Sequence, residues 1–233
     1  MKVVSYNIQG HAAAKRNDHI PKIAETIAAL APDVIGLQEV HCRTKASSQV
    51  DQAEQIAKLT GLNLFFGKSC AMEGGDYGNA VLTRGTIESA RVHPLPGSGE
   101  PRSLLEANIV LDQTRILFFV THLAAWGRLL RNARLSQIAA LGDITARGSD
   151  PHILVGDFNV QPAAEELRVL LSHAHLRSVG DTRDATFPMT RQRLDYVFCD
   201  PRWEYEGGEV VKRGPSDHWA LVAHVRLRES AED

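Results

Sequence analysis

The chain alternates short apolar runs with longer segments in which apolar residues recur every three or four positions. The run 153–155, ILV between a proline and a glycine, predicts a buried strand because it is too short and too β-branched for a helix. In the segment 20–30, isoleucines, an alanine and a leucine fall on one helical face, and Asp18 is placed to cap that helix. The pattern therefore predicts a protein that mixes buried strands with amphipathic helices.

The predicted elements follow one another along the whole chain. Strands are predicted at 3–8, 34–37, 62–66, 79–83, 87–93, 103–111, 115–121, 153–155, 193–199, 203–212 and 219–227. Helices are predicted at 20–30, from Ser47 or Ser48 to Thr60, at 129–147 and at 163–172. Gly74-Gly75 predicts a mobile loop. Two halves that each contain helices and several strands favour sheets packed face to face with helices outside, an α+β layered sandwich.

Length and charge narrow the class of protein. At 233 residues the chain suits one domain spanning 1–233, since folds with many strands often reach that size undivided. Lys plus Arg number 26 against 28 Asp plus Glu, which gives a formal charge of -2. A protein with this near-neutral net charge is not expected to bind nucleic acid with high affinity. The charge does not exclude a nucleic-acid substrate that is held weakly during turnover.

The cysteines and the first residues bear on the compartment. The three cysteines, Cys42, Cys70 and Cys199, form no CxxC pair, so a disulfide framework or a zinc site is not expected and a reducing compartment fits better. The chain opens on a strand pattern without a charged-then-apolar leader, and no segment approaches the length of a membrane span. We therefore expect a cytoplasmic protein.

Polar residues stand at the ends of the apolar runs VVSYN, VIGLQE, ILFFVTH and ILVGDFN, inside RLDYVF and before the last strand. They are Asn7, Glu39, His122, Asp157, Asn159, Asp195, Asp217 and His218. In a layered sandwich such ends can converge on one edge, where active-site groups tend to lie. Oxygen ligands with few thiols suit Mg²⁺ or Mn²⁺ rather than zinc, and adjacent histidines can stabilise charge on a phosphate. The set indicates a metal-assisted phosphoester hydrolase.

Structural roles compete with these functional roles. Asn7 taken alone is better interpreted as a turn residue, and Asp157 with Asn159 after a glycine more often forms a turn. Glu39 could be a surface carboxylate, although the fully apolar strand before it favours a ligand. His122 is equally well explained as a satisfied core histidine. The repetition of polar strand ends is what favours a site.

The polar residues near the C terminus have structural alternatives as well. Asp195 lies within an apolar run, where a buried carboxylate is costly unless it is paired, so a partner such as His218 is expected. Asp217 and His218, which follow the loop residues GPS, could instead be loop polarity or a helix cap. The expected pair of Asp195 and His218, together with the other polar strand ends, favours the functional interpretation over loop polarity.

Seven motifs together carry a resemblance to a known family. SYNIQG, LQEV, GNAVLTR, THL, GDFN, RLDYVF and SDHWAL occur in this order between residues 5 and 221. The set resembles the endonuclease/exonuclease/phosphatase superfamily, which includes deoxyribonucleases, abasic-site endonucleases, sphingomyelinases and inositol-polyphosphate phosphatases. The resemblance implies a four-layer α/β-β/α sandwich of two packed mixed β-sheets flanked by helices, with the site at one edge of the paired sheets.

The resemblance also implies a metal site and a group that acts on water. Glu39 matches the family's principal divalent-metal ligand, with Asn7 beside it, and Asp217 would take a second metal or assist the first. Asp157 matches the residue that orients or deprotonates the attacking water. The implied cofactor is Mg²⁺ or Mn²⁺, and the implied mechanism is in-line attack by water.

Further positions match groups that contact the phosphate. Asn159 matches the amide that holds a phosphate oxygen. His218 matches the histidine on the scissile phosphate, paired with a carboxylate that would here be Asp195. His122 matches a second phosphate-side histidine found in some branches of the family. The proton donor to the leaving group is not assigned.

Three further residues, Asn79, Arg102 and Trp126, are weaker candidates for substrate binding. Asn79 stands where relatives place substrate-contacting groups, and Arg102 could bind a phosphate bidentately, although an ordinary surface arginine is the simpler interpretation. Trp126 could stack on a base or cover a lipid head group, or it could pack half-buried. The basic run Arg128, Arg131 and Arg134 predicts a solvated helix face, with a phosphate rail as the alternative.

Departures from the family pattern bear on the substrate. The chain has no long insertions of the kind that abasic-site enzymes use to grip duplex DNA. Where deoxyribonuclease relatives support the second histidine with a glutamate, this chain offers Asp76, which puts the catalytic role of His122 in doubt. No apolar hairpin or amphipathic segment indicates membrane docking, which argues against a sphingomyelinase.

Three functional hypotheses follow. The first is a metal-dependent phosphodiesterase or nuclease, with nucleic acid as the leading substrate class. The second is a phosphatase or phospholipase-C-like hydrolase of a small phosphorylated or lipid head-group substrate. The third is a catalytically silent binding module on the same fold, which the complete set of candidate catalytic residues disfavours. We expect a monomer without stable membrane association.

Overall fold

The computed structural model describes residues 1–125, 127, 130–148, 150–180 and 183–228. The described residues form two six-stranded sheets, four α-helices and a short 3-10 helix, Gly10–Ala14. The strands are β1 Lys2–Asn7, β2 Val34–Cys42, β3 Asn63–Met72, β4 Gly75–Thr83, β5 Thr86–Leu95, β6 Arg102–Leu111, β7 Thr114–His122, β8 His152–Asp157, β9 Arg177–Val179, β10 Asp195–Cys199, β11 Trp203–Val211 and β12 Ala220–Leu227. The helices are α1 His19–Leu30, α2 Gln52–Thr60, α3 Arg131–Thr145 and α4 Glu165–His173.

The two sheets pack face to face, and the helices cover their outer faces. The first sheet has the order β11-β12-β1-β2-β4-β3, and the second has the order β5-β6-β7-β8-β10-β9. One apolar cluster fills the space between the sheets, a second joins the first sheet to α1 and α2, and a third joins the second sheet to α3 and α4. The predicted four-layer α+β sandwich is confirmed.

The sheets approach closely at their centre. Gly36 of β2 faces the second sheet, and a Cβ added there would lie 2.4 Å from Val155 Cγ2 and 2.8 Å from Val120 Cγ2. Val120 and Val155 themselves are fully buried. Because a methyl group has no space at position 36, glycine sets the distance between the two sheets at this point.

Two parallel strand pairs determine where the polar strand ends meet. β1 pairs with β2 in parallel, and β7 pairs with β8 in parallel, so each pair needs a crossover, which α1 and α3 provide. The carboxyl ends of both pairs lie at the same edge of the sandwich. His122 of β7 and Asp195 of β10 are the register partners of Asp157 on either side of β8. The fold thus gathers residues that are far apart in the sequence.

Several predicted boundaries are wrong for identifiable reasons. The helix α2 begins at Gln52 rather than Ser47 or Ser48, because Ser48 and Gln49 have positive φ angles of 53° and 65°. Asp51 caps it instead, with its carboxylate accepting a hydrogen bond from the Glu54 N–H at 3.1 Å. The predicted cap on α1 also fails, since the Asp18 side chain makes no capping bond and lies 2.5 Å from Lys22 Nζ.

Two further differences concern turns and short strands. The loop predicted at Gly74 and Gly75 is a two-residue hairpin turn formed by Glu73 and Gly74, with φ angles of 47° and 83°, and Gly75 already begins β4. The strand Arg177–Val179 was not predicted, since three residues are too few to show a period. The predicted helix at 129–147 is observed as α3, Arg131–Thr145, and Leu129 lies outside the described residues.

Asp200 ties the start of β8 to the turn between β10 and β11. Its side chain is 3% exposed, and it accepts hydrogen bonds from the N–H groups of His152 and Arg202, both at 2.7 Å. Burial raises the pKa of Asp200, but the hydrogen bonds from His152 and Arg202 outweigh it and hold that pKa well below its usual range. The carboxylate therefore stabilises the folded state in its charged form.

Replacing Asp200 with asparagine is expected to lower the free energy of unfolding by about 2 kcal/mol at pH 7, since hydrogen bonds to a charged acceptor are lost. Because the folded-state pKa lies below the unfolded value, this stabilisation is present above about pH 4 and is lost as the pH falls through the folded-state pKa. Urea unfolding of both proteins at pH 7 and in acid would measure it. The control Asp143→Asn changes an exposed aspartate and should stay within about 0.5 kcal/mol. If Asp200→Asn and Asp143→Asn lowered the free energy of unfolding equally, the stabilising role of the Asp200 carboxylate would be contradicted.

Candidate functional site

The polar strand ends meet in a cavity of about 390 Å³ at one edge of the sandwich. Of the predicted site residues, those that line it are Glu39, Arg102, His122, Asp157, Asn159, Asp217 and His218. Asn7 and Asp195 stand directly behind them, each bonded to a lining residue. A larger groove of about 660 Å³ lies on the outer face of β11 and β12, but none of the predicted site residues lines it. The chemistry is therefore concentrated at the strand ends.

Glu39 is turned into the cavity by an irregularity in β2. The register between β2 and β4 shifts between Leu37 and Val40, and Glu39 has a positive φ of 59°. Its Oε1 accepts a hydrogen bond from Asn7 Nδ2 at 3.0 Å, and its Oε2 lies 3.5 Å from His11 Nδ1. Burial raises the pKa of Glu39, but the hydrogen bonds from His11 and Asn7, with the charge of His218, outweigh it and lower that pKa to about 2. The carboxylate is therefore negatively charged at neutral pH.

Asn7 joins the two sheets across the site. Its Nδ2 donates to Glu39 Oε1 and, at 3.1 Å, to Asp157 Oδ2 on the opposite sheet. Its Oδ1 accepts from the Gln9 N–H at 3.0 Å, which fixes the orientation of the amide. In this arrangement Asn7 holds the two carboxylates in register and directs its nitrogen, not its oxygen, toward them.

Asp157 lies at the centre of the polar cluster. Its side chain is 2% exposed. Its Oδ1 accepts from the Asn159 N–H at 2.9 Å, while its Oδ2 lies 3.5 Å from His122 Nε2 and 3.7 Å from His218 Nε2. Burial, with repulsion from Asp195, raises the pKa of Asp157 above its ordinary value. A carboxylate with a raised pKa is a stronger base and can accept a proton from water.

His218 and Asp195 form the expected pair. His218 Nδ1 lies 2.8 Å from Asp195 Oδ2, and Asp195 is fully buried. Burial lowers the pKa of His218, but the carboxylates of Asp195 and Asp157 outweigh it and raise that pKa to about 10. The ring of Phe187 packs against the imidazole at a centroid distance of 4.9 Å. The imidazole is therefore held in one orientation and is protonated at neutral pH.

Two groups of residues offer metal ligands. Asp157, Asp195 and His218 bring ligand atoms within 4.8 Å of one another. A protonated imidazole has no lone pair for a metal, so this group is better described as an acid–base pair beside a carboxylate. Glu39 instead presents a charged, hard oxygen donor in the same cavity as Asp217, and such donors suit Mg²⁺ or Mn²⁺. The carboxylates of Glu39 and Asp217 therefore fit Mg²⁺ or Mn²⁺, the ions that the family resemblance implies.

His122 is buried beside this cluster in a neutral state. Its side chain is 6% exposed, and its Nδ1 has no hydrogen-bond partner among the described residues. Burial, reinforced by Arg102, lowers the pKa of His122 well below its usual value. Asp76 does not support this histidine, since its carboxylate lies 2.7 Å from Lys68 Nζ. His122 can thus offer an N–H to a ligand without carrying a charge.

The three weaker candidates for substrate binding differ in where the structure places them. Arg102 is 9% exposed and lines the cavity, so its interpretation as an ordinary surface arginine is wrong. Asn79 is buried, and its Nδ2 donates to the Ser103 carbonyl at 3.3 Å. Asn79 is not among the described residues that line the cavity. Trp126 lies outside the described residues.

The basic run does not form one solvated face. Arg131 is partly exposed and pairs with Glu165 at 2.7 Å, as a surface residue would. Arg134 is 5% exposed, and its Nη1 donates to the Ala125 carbonyl at 2.6 Å, so the solvated interpretation is wrong for this residue. Arg128 lies outside the described residues. Arg134 fixes the loop that borders the cavity.

Other residues of the cavity were not predicted. His11, His41, Tyr77 and Phe187 all line it. Tyr77 and His41 pack edge to face at a centroid distance of 5.0 Å. The Gly-His pair directly after the first strand end was the available signal for His11, since it follows the same rule as the other strand ends. His41, Tyr77 and Phe187 carry no local signal, because tertiary packing brings them to the cavity.

Comparisons with known proteins agree with this geometry. The sequence profile described as "Endonuclease/Exonuclease/phosphatase family" matches residues 4–218. The uncharacterized protein YbhP of Escherichia coli K12 is 28% identical over 218 residues, which cover 84% of each chain. A solved endonuclease/exonuclease/phosphatase structure from Beutenbergia cavernae is 26% identical with a TM-score of 0.79, covering 98% of this chain and 72% of that one. A mannosyl-6-phosphatase of Bacteroides thetaiotaomicron shares the fold at 19% identity and a TM-score of 0.81, covering 97% of this chain and 100% of that one.

The length and composition of the helices bear on membrane insertion. Within the described ranges, no helix is both long enough and apolar enough to cross a bilayer. The longest, α3, has 15 residues.

Proposed function

The chain belongs to the Endonuclease/Exonuclease/phosphatase family, and from this premise we propose that it is a divalent-metal-dependent phosphodiesterase that cleaves by in-line attack of an activated water. The observation that carries the proposal is the position of Asp157. Its Oδ2 lies within 3.7 Å of both His122 and His218, while Asn7 joins it to Glu39. One cavity thus contains a carboxylate that can accept a proton (Asp157), two histidines that can donate hydrogen bonds to a phosphate, and a carboxylate that can bind a divalent metal ion (Glu39).

The side chains divide the reaction between them. Asp157 Oδ2 would accept the proton of the attacking water, and Asn7 would hold that carboxylate in place. The imidazolium of His218, oriented by Asp195, would donate a hydrogen bond to a phosphoryl oxygen as negative charge develops there. A divalent cation at Glu39, with Asp217 near it, would neutralise charge on the phosphoryl oxygens.

Asn159 and His122 complete the contacts to the phosphate. Asn159 Nδ2 donates to the Leu123 carbonyl at 3.2 Å, which leaves the second hydrogen of that amide for a phosphate oxygen. His122, which is neutral, would donate through Nε2. These donors are positioned before substrate binds, so little reorganisation is needed as the reaction proceeds.

The charge around the cavity bears on the substrate. Besides Glu39, Asp157 and Asp217, the carboxylates of Glu73 and Glu100 line it. This anionic surface does not favour a long duplex, and a small phosphodiester or a short nucleic-acid end fits better. The second candidate function, a phosphatase of a small phosphorylated molecule, is favoured by the size of the cavity, about 390 Å³.

A direct assay tests the proposal. Purified protein would be incubated with bis-p-nitrophenyl phosphate and with p-nitrophenyl phosphate, in Mg²⁺, in Mn²⁺ and in EDTA. We expect diester cleavage that EDTA abolishes. Cleavage of the monoester without the diester would support the phosphatase, and no cleavage of either in any metal would favour the binding module.

The replacement Glu39→Gln is expected to lower diester cleavage at least about 100-fold and to weaken Mn²⁺ binding by a similar factor, since the charged ligand is lost. Calorimetry with Mn²⁺ gives the affinity independently of turnover. Glu25→Gln, which changes an exposed glutamate on α1, is the matched control and should alter neither quantity. Normal Mn²⁺ affinity in Glu39→Gln would show that the ion binds elsewhere.

A further inference from the structure

Arg102 is a buried cation in the wall of the cavity. It begins β6 and lines the same cavity as His122 and Glu39. Its side chain is 9% exposed, and its Nη2 lies 3.1 Å from Glu100 Oε1 on the adjoining loop. Its Nε and Nη1 are buried and have no hydrogen-bond partner among the described residues. The guanidinium also hydrogen-bonds the Tyr77 side chain, so its unused donors are those at Nε and Nη1.

This arrangement differs from that of a structural arginine. Arg134 is buried to a similar degree, but it donates to the backbone carbonyls of Ala125 and Gly127 and so holds a loop. Arg102 cannot lose its charge, and buried N–H groups without partners destabilise the folded protein. An anion bound beside Arg102 would supply the missing acceptors and remove that destabilisation.

The neighbours of Arg102 also suit an anion. Burial raises the pKa of Tyr77 well above its usual value, and Arg102 is close enough to offset part of that rise, so the hydroxyl stays protonated and can donate. His41 packs against Tyr77 and lines the cavity, and its Nδ1 lies 2.9 Å from Thr44 Oγ1. We call Arg102, Tyr77 and His41 the Arg102 subsite.

The Arg102 subsite is separate from the place proposed for the scissile phosphate. In the second sheet, β7, which ends in His122, lies between β6, which begins with Arg102, and β8, which ends in Asp157. His218 lies beside Asp157, with 3.7 Å between His218 Nε2 and Asp157 Oδ2. A cavity of about 390 Å³ has space for a molecule the size of a nucleotide. Two anionic groups of one small molecule can therefore occupy it together.

We propose that the Arg102 subsite binds a second phosphate group, so that the preferred substrate is a small phosphoester carrying another phosphate on the same molecule. This inference rests on the proposed function for the scissile phosphate. Glu100 competes with the substrate for the guanidinium, because its carboxylate occupies Nη2 and is itself 37% exposed. Binding of the second phosphate displaces Glu100 toward solvent.

Two substrates that differ in one phosphate test the inference. Thymidine 5′-(p-nitrophenyl phosphate) and its 3′-phosphorylated form present the same scissile diester. We expect wild-type kcat/KM to be at least about tenfold higher for the 3′-phosphorylated compound, and this ratio to fall to within about twofold of unity in Arg102→Met. Glu100→Gln, a loop variant that does not threaten folding, should raise the ratio several-fold.

The matched control is Arg115→Met, which removes the same charge at the far end of β7, where Arg115 is 69% exposed. Arg115→Met should leave the ratio of kcat/KM values unchanged. This result would show that the effect of Arg102→Met comes from the Arg102 subsite and not from the lower net charge of the protein. Circular dichroism checks that Arg102→Met is folded. A wild-type ratio near unity, or a ratio that Arg102→Met and Glu100→Gln leave unchanged, overturns the inference while leaving the proposed function intact.

Loss of the proposed function would be recognised separately. If wild-type protein cleaves neither compound with Mg²⁺ or Mn²⁺, the hydrolase assignment fails, and calorimetry in EDTA then decides on the subsite alone. Wild-type protein should bind thymidine 3′,5′-bisphosphate at least about tenfold more tightly than thymidine 5′-monophosphate, and Arg102→Met should abolish that difference. Equal affinities of wild-type protein for the two nucleotides would reject the Arg102 subsite.

Discussion

Replacing Asp157 with asparagine is expected to lower kcat for bis-p-nitrophenyl phosphate about 1,000-fold, because the group proposed to take the proton from water is lost. The substitution keeps the size of the side chain, and an asparagine oxygen can still accept from the Asn159 N–H, whereas the hydrogen bond from Asn7 Nδ2 is lost. The free energy of unfolding should therefore fall by no more than about 2 kcal/mol. Initial rates in Mg²⁺ and urea unfolding measure the two effects.

The control for this experiment is Asp76→Asn. Asp76 stands on β4 of the first sheet, and its carboxylate pairs with Lys68 rather than with any residue of the polar cluster. We expect its activity to stay within about twofold of the wild type. If Asp157→Asn retained more than about a tenth of the wild-type kcat, Asp157 could not be the general base.

The layered fold was predictable because its signals are local. Each apolar run predicts a buried strand, and the polar residue after the run predicts where that strand ends. The run 153–155 predicted β8, which extends to Asp157. Because β1 and β2, and likewise β7 and β8, are parallel, the polar ends within each pair reach the same edge of their sheet. The hydrogen bond from Asn7 to Asp157 shows that the two sheets bring these edges together. The resemblance to the family then supplied the four-layer arrangement.

The local conformation of the site was less predictable. Nothing in LQEV indicates that Glu39 adopts a positive φ, because the register shift depends on the partner strand β4. The orientation of Asn7 depends in the same way on the Gln9 N–H and on a carboxylate 150 residues away in the sequence. Such contacts arise from tertiary packing, which hydrophobic periodicity does not encode.

The burial of charged residues was the least predictable property. Arg102 follows a glutamate and a proline and looks like a loop residue, yet the cavity wall encloses it. Arg134 stands in a basic run, yet it turns inward to hold the loop carbonyls. Arginine is exposed in most proteins, so a sequence alone predicts an exposed side chain. Only the packing of strands and loops shows that a particular guanidinium is buried.

The second large effect is expected at the pair formed by Asp195 and His218. Removing the imidazole in His218→Ala should lower kcat for the diester about 1,000-fold, because the donor to the developing charge is lost. Asp195→Asn should lower it at least about 100-fold, since the carboxylate that orients Nδ1 and favours the protonated ring is replaced by a neutral amide. The double variant should be no slower than His218→Ala, since Asp195 acts through His218.

Rates of the wild type, both single variants and the double variant give this comparison in one assay, and circular dichroism shows whether each protein is folded. Asp184→Asn, which changes a half-exposed aspartate paired with Lys212, controls for loss of charge and should leave the rate unchanged. Losses that multiply in the double variant would mean that the two residues act independently. In that case the 2.8 Å contact between Asp195 and His218 would be a structural hydrogen bond, and another group would have to orient the imidazole.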